Sequence, residues 1–227
     1  MAALTWLLDF DDTLASGMTT WGVRWAMPKL MRQHGLSCDP LLLQQAMLTA
    51  QEQFNLSLNP DPTPVLDDLF DRLGWPRALQ SSLLDDLRTA YRPALFEDTM
   101  PFLRRLNEAG QRLYVVSNNP HAPVIARQLG LHELVSRFFT PRLYPGAQPK
   151  PHPSLWHQIL AEAPQTAADR TVMIGDDPWS DGAFAANCGL ACWIVDRDDR
   201  FGHLPGPYRR VRSLLDIPVP DGGAEPR

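Results

Sequence analysis

Residues 4–13 read Leu4-Thr5-Trp6-Leu7-Leu8-Asp9-Phe10-Asp11-Asp12-Thr13. The apolar run from Leu4 to Phe10 is short, dense and bounded by acid, which suits a strand buried on both faces of a parallel sheet. Similar runs recur at Arg112–Val116 (RLYVV), Arg170–Ile174 (RTVMI) and Ala191–Val195 (ACWIV). Helical patterns lie between the later strands. Asn119-Pro120 opens one that Gly130 stops, Pro153 opens SLWHQIL, and Asp177-Pro178 opens another that ends near Cys188-Gly189. This alternation predicts an α/β fold, a parallel sheet with right-handed crossovers. Ligands in such sheets bind beyond the carboxyl ends of the strands.

Residues 16–98 interrupt the alternation with helical patterns alone. Asp39-Pro40 opens LLLQQAMLTAQEQF, Pro64 opens VLDDLFDRLG and Pro76 opens RALQSSLLDDLRTAY. The reading is an all-helical domain of residues 16–98, inserted into a catalytic core formed by 1–15 and 99–217, where it would act as a lid over the strand ends. Residues 218–227 (PVPDGGAEPR) read as a flexible tail.

Composition narrows the function. The chain has 227 residues, 44% apolar and 21% charged, the proportions of a globular protein. A net charge of −5 and scattered basic residues argue against a nucleic-acid polymer as partner. The Arg209, Arg210, Arg212 cluster reads as a solvated face. Cys38, Cys188 and Cys192 form no Cys-x-x-Cys pair, so neither a disulfide framework nor a zinc site is expected and a reducing cytoplasm fits. No apolar run approaches a membrane span or a signal peptide. No obligate protein partner is evident. Of the 21 basic residues only two are lysine, Lys29 and Lys150.

The strand ends carry the chemistry. Residues two apart on an extended chain point the same way, so Asp9 and Asp11 can face one site. Clustered carboxylates repel unless a cation sits between them, and a hard divalent ion with oxygen ligands is the economical choice. The second core strand ends in Ser117-Asn118-Asn119-Pro120, a hydroxyl, amides and free N–H groups suited to phosphate. Lys150 lies in the proline-bracketed Gln148-Pro149-Lys150-Pro151-His152-Pro153, and Gly175-Asp176-Asp177-Pro178-Trp179-Ser180-Asp181 supplies a second acidic cluster.

These four stretches, in this order, resemble the motifs of the haloacid dehalogenase-like hydrolase superfamily, in particular its phosphatase branch. The resemblance implies a Rossmann-like core with a helical cap and a phosphoaspartate mechanism. Asp9 would be the nucleophile and Asp11 the general acid and base. Ser117, with Asn118 as a candidate beside it, would bind phosphate, and Lys150 would neutralise charge. Asp9, the Asp11 carbonyl and Asp176 would hold Mg²⁺. Asp177 or Asp181 would stand behind the metal ligands, or Asp181 would orient Lys150. Asp12 reads as a local backbone cap. Trp21, Arg24 and Trp25, at i, i+3 and i+4 of the first inserted helix, are candidates for recognising the leaving group. Lys29 reads as a solvated charge.

The expected activity is Mg²⁺-dependent hydrolysis of a small phosphorylated metabolite. A sugar-phosphate mutase is the alternative within the family, and a catalytically silent interaction or regulatory protein is the alternative outside enzymes. Dehalogenases lack an acid equivalent to Asp11, because halide leaves without a proton.

Overall fold

The structure is a computed structural model that describes residues 3–56, 61–202 and 205–220. The chain divides into two compact units, residues 1–15 with 94–227, and residues 16–93.

The first unit is built on a six-stranded sheet. Its strands are β1 (Thr5–Leu8), β2 (Arg112–Val116), β3 (Arg137–Phe139), β4 (Thr171–Gly175), β5 (Ala191–Val195) and β6 (Arg209–Val211). They run in the order β3-β2-β1-β4-β5-β6, and every pair is parallel. This is the Rossmann-like α/β sheet expected, with β1 central and its two neighbours on opposite sides, so the switch in strand order falls at the end of β1.

Alternation along the strands sorts side chains into two cores. Trp6, Leu8, Leu113, Val115, Val172, Ile174 and Val195 point to one face, where Phe102, Leu103 and Leu106 of helix Thr99–Glu108 and Ala122 and Ala126 of helix Ala122–Gln128 cover them. Leu7, Tyr114, Val116, Met173, Cys192 and Ile194 point to the other, under Leu155, Trp156 and Ile159 of helix Ser154–Glu162 and Phe184 of helix Ala183–Cys188. Burying a side chain of this size contributes roughly 1.5–3 kcal/mol, which explains why strands covered on both faces read as unbroken apolar runs.

Two strands were not expected. β3 has three residues, and β6 lies inside the arginine cluster read as a solvated face. Arg209 and Arg210 are exposed, yet Arg209 lies over the Trp193 ring and Arg210 reaches Asp196 and Asp199. Charged side chains are a usual way to protect an edge strand. The helix expected at Pro120 begins two residues later, at Ala122, while Gly130 takes the left-handed conformation (φ 77°) that ends it.

The second unit is all helical, with segments Met18–Trp21, Gly22–Ala26, Met27–His34, Pro40–Leu56, Thr63–Leu73, Arg77–Leu79 and Gln80–Ala90. Its starts follow the sequence chemistry: Asp39 Oδ1 accepts from the N–H groups of Leu41 and Leu42, and Asp61 Oδ1 accepts from Thr63 N–H. Ala26, Met27, Leu30, Leu69, Phe70 and Leu73 form its own core. The inserted unit closes at Pro93, five residues before the expected Asp98. Leu95 bridges Ala15, and Phe96 N–H donates to the Leu14 carbonyl, so residues 94–98 belong to the first unit.

The expected tail begins at Pro218, but Val219 packs against the first core. Residues 221–227 lie outside the described residues. Among the described residues no helix is long and apolar enough to cross a membrane.

Candidate active site

Asp9, Thr13, Ser117, Lys150, Asp176 and Asp181 all belong to the first unit. The extended course of β1 continues to Asp9, whose N–H donates to the Ile174 carbonyl at 2.8 Å. The chain then turns: Asp12 adopts φ 59°, and the N–H groups of Leu14 and Ala15 both donate to the Phe10 carbonyl. The turn buries Asp9, Asp12 and Thr13 against strand ends where water is scarce.

Lys150 is 2% exposed. Its Nζ donates to Asp9 Oδ1 at 2.7 Å and to Asp181 Oδ1 at 2.5 Å. Asp181 Oδ2 in turn accepts from Asp177 N–H at 3.2 Å. Both oxygens of Asp181 are thus engaged, one by the Lys150 ammonium and one by the Asp177 N–H. Gly175 makes room for this arrangement. A Cβ there would lie 2.0 Å from Asp181 Oδ2, so only glycine fits beside the carboxylate.

Thr13 Oγ1 lies 3.4 Å from Asp9 Oδ2 and 3.5 Å from Asp176 Oδ1, so these two oxygens face a common region. One carboxylate oxygen from each of Asp9, Asp176 and Asp181 falls within 4.8 Å of the others. The donor set is all oxygen, buried and acid-rich, which fits a hard divalent cation. Asp9, Asp176 and Asp181 are the residues whose carboxylates stand close enough together to hold one.

Burial sets the electrostatics. It pushes Asp9 up to about 8, against the pull of the Lys150 ammonium. It raises Asp11 to about 7, with a hydrogen bond from Asn119 working the other way. Asp176 is raised well above the ordinary range by burial and by Asp12. Lys150 is held protonated by Asp181 and Asp9, which outweigh its desolvation. Asp177 is raised by burial, and its Oδ1 caps the following turn by accepting from Trp179 and Ser180 N–H.

Ser117 is 1% exposed at the end of β2, and its Oγ accepts from Asn119 N–H. Asn118 is placed differently from the expectation of a phosphate contact. Its Oδ1 accepts from Lys150 N–H at 2.7 Å and its Nδ2 donates to the Lys150 carbonyl at 3.0 Å. The side chain therefore clamps the lysine backbone, and the reason is geometric: β2 ends beside the Lys150 loop, where a paired amide satisfies both backbone groups.

Sequence reasoning missed three contributors. Asn119, read as a helix cap, does accept from His121 N–H, but its Nδ2 also donates to Asp11 Oδ2 at 2.9 Å. Thr13 stands between the two acidic strand ends. Arg200 Nη2 lies 3.0 Å from Asp176 Oδ2. No local pattern marks Arg200 among 19 arginines.

Over residues 5–189 the sequence matches the model of the haloacid dehalogenase-like hydrolases. The chain belongs to that family. No curated protein matches it in sequence. Among solved structures it is similar to YfnB of Bacillus subtilis, a haloacid dehalogenase-type hydrolase crystallised with magnesium. The two share 19% identity over 95% of this chain and 97% of the other, at a TM-score of 0.66. A phosphatase of this superfamily from Thermococcus onnurineus is 20% identical over 95% of each chain, at 0.58. A 2-haloacid dehalogenase from Pseudomonas syringae is 18% identical over 94% of this chain and 95% of its own, at 0.55. These likenesses establish the fold and leave the reaction to the residues.

Trp21, Arg24 and Trp25 lie in the helical unit. Trp21 and Trp25 stack with centroids 5.3 Å apart, Trp21 also meets Tyr91 edge-on, and Arg24 is exposed. Lys29 differs from the solvated charge expected. Its Nζ pairs with Asp86 and lies 5.0 Å from the Trp25 ring centroid.

Proposed function

We propose that this hydrolase is a Mg²⁺-dependent phosphatase acting on a small phosphate monoester through a phosphoaspartate on Asp9. The observation that carries the reading is Asp11, a second acid two residues beyond the nucleophile, half-buried and held by Asn119. Departure of an alkoxide needs a proton, whereas departure of a halide does not.

A carboxylate oxygen of Asp9 attacks phosphorus, the ester P–O bond breaks, and its electron pair goes to the leaving oxygen, which takes a proton from Asp11. A group raised to about 7 is suited to give that proton near neutrality and to take one back. Asp11 then removes a proton from water, the water oxygen attacks phosphorus, and the Asp9–phosphorus bond breaks to release inorganic phosphate. Lys150 balances charge at Asp9, and the Ser117 hydroxyl would donate to a phosphoryl oxygen. Asp9, Asp176 and the Asp11 carbonyl would hold a divalent ion, which would supply Lewis-acid stabilisation of the phosphoryl charge.

Compact phosphate monoesters are the expected substrates, and Trp21, Arg24 and Trp25 of the helical unit are the candidates for recognising the leaving group. The test is phosphate release across a panel of phosphorylated metabolites, with Mg²⁺ and with EDTA, alongside halide release from a 2-haloacid. Mg²⁺-dependent phosphate release is expected. Halide release alone, or phosphate moved between positions of one sugar without release, would overturn the reading.

A further inference from the structure

The two carboxylates proposed to hold the cation are arranged alike. Asp9 gives Oδ1 to Lys150, and Asp176 gives Oδ2 to Arg200, while Asp9 Oδ2 and Asp176 Oδ1 both face Thr13. Arg200 belongs to none of the four motifs, and the loop after β5 sets its position. Asp196, 1% exposed, accepts from Arg200 N–H at 2.7 Å and from Phe201 N–H at 2.9 Å. The guanidinium lies 4.8 Å from the Phe201 ring centroid, and Phe201 packs edge-on against Trp179 of the acidic turn. The Arg200–Asp176 pair is largely buried, with side-chain exposures of 18% and 6%.

A fixed positive charge on one ligand oxygen acts on a divalent ion in opposite ways. It orients the carboxylate, and it repels the ion. In a partly buried site the repulsion is strong, because a double charge meets a single one within a few ångströms at reduced dielectric. Orientation of Asp176 already has support from its place at the end of β4. Repulsion therefore dominates. Resting on the reading of Asp9 and Asp176 as cation ligands, we infer that Arg200 is a resident counter-cation. It pairs with Asp176 in the metal-free protein, holds the acidic cluster together, and keeps the affinity for Mg²⁺ low enough for the ion to exchange.

The test is calorimetric titration of Mg²⁺ into the wild type, Arg200→Gln, Arg200→Lys and Asp176→Asn, with thermal melts in EDTA. Arg200→Gln should bind Mg²⁺ at least about tenfold more tightly, Arg200→Lys should stay within about threefold of the wild type, and Asp176→Asn should lose binding. Without metal, Arg200→Gln should melt below the wild type, and Mg²⁺ should close the gap. Unchanged or weaker Mg²⁺ binding by Arg200→Gln would overturn the inference while leaving the cation site standing. Absence of Mg²⁺ binding by the wild type would overturn the cation site, and the role of Arg200 with it. Should Arg200→Gln fail to fold, the Arg200 guanidinium resonances of the wild type provide the second readout. They should shift on Mg²⁺ titration, and resonances that do not move would overturn the inference.

Discussion

Lys150 bonds to two carboxylates through a compact ammonium in a slot that is 2% exposed. A guanidinium keeps the charge, but it is planar and would lock a carboxylate in a two-bonded pair. Lys150→Arg is therefore expected to lower kcat on an aryl phosphate at least about 100-fold, the scale of losing one well-placed charged donor. Steady-state kinetics at saturating Mg²⁺ checks this, and unchanged kcat would refute it. Gly175→Ala tests the neighbouring contact. Its methyl would displace Asp181 from Lys150, so activity should fall while β4 remains paired. At this scale the sequence put Asp9 and Asp176 just past apolar strands and Lys150 in a proline-bracketed loop, and the structure brings Lys150 against Asp9, with Thr13 reaching both acids. The sequence was silent on Arg200 and on the bond from Asn119 to Asp11, because both depend on segments that meet only after folding.

Elements buried on both faces announced themselves, since β1, β2, β4 and β5 are apolar at nearly every position. β3 and β6 did not, because a three-residue edge strand needs little apolar surface and Arg209 and Arg210 face outward. Beside the buried Leu214 and Ile217, a polar hub that no local pattern displays ties the C-terminal segment to the core. Asp98 takes both terminal nitrogens of Arg197, at 2.7 and 3.0 Å, together with the Ser213 hydroxyl and Leu214 N–H. Arg197 also donates to the Thr13 carbonyl, tying this hub to the turn beside Asp9. Asp98→Ala removes the common acceptor and leaves a half-buried guanidinium without its carboxylate. The expected cost is about 2–4 kcal/mol in urea denaturation. A loss below about 0.5 kcal/mol, the scale of a surface substitution, would refute the hub.

The whole molecule carries a pH signature. Asp9 and Asp11 titrate near 8 and 7 in the folded chain, against 3.8 for ordinary carboxylates. Between these limits the folded state binds more protons than the unfolded one, so stability falls as pH rises. The loss begins as the unfolded carboxylates ionise near 4 and is complete above about 8. Melts in EDTA should therefore show a Tm lower at pH 9 than at pH 6, and Mg²⁺, which binds the ionised form, should raise Tm more at pH 9. A metal-free Tm that rose over this interval would contradict the electrostatics described for the site. The division into an α/β unit and a helical unit was legible because the two periodicities differ. The boundary at Pro93 was not, since residues 94–98 join the core through the bridge between Leu95 and Ala15.

The central claim is that Asp9 forms the bond to phosphorus. Its most direct measurement is turnover of an aryl phosphate with Mg²⁺ by the wild type and by Asp9→Asn, the two matched for fold by circular dichroism. The account predicts turnover by the wild type and none above background by Asp9→Asn, whose amide cannot serve as the nucleophile. Full activity in Asp9→Asn would contradict it.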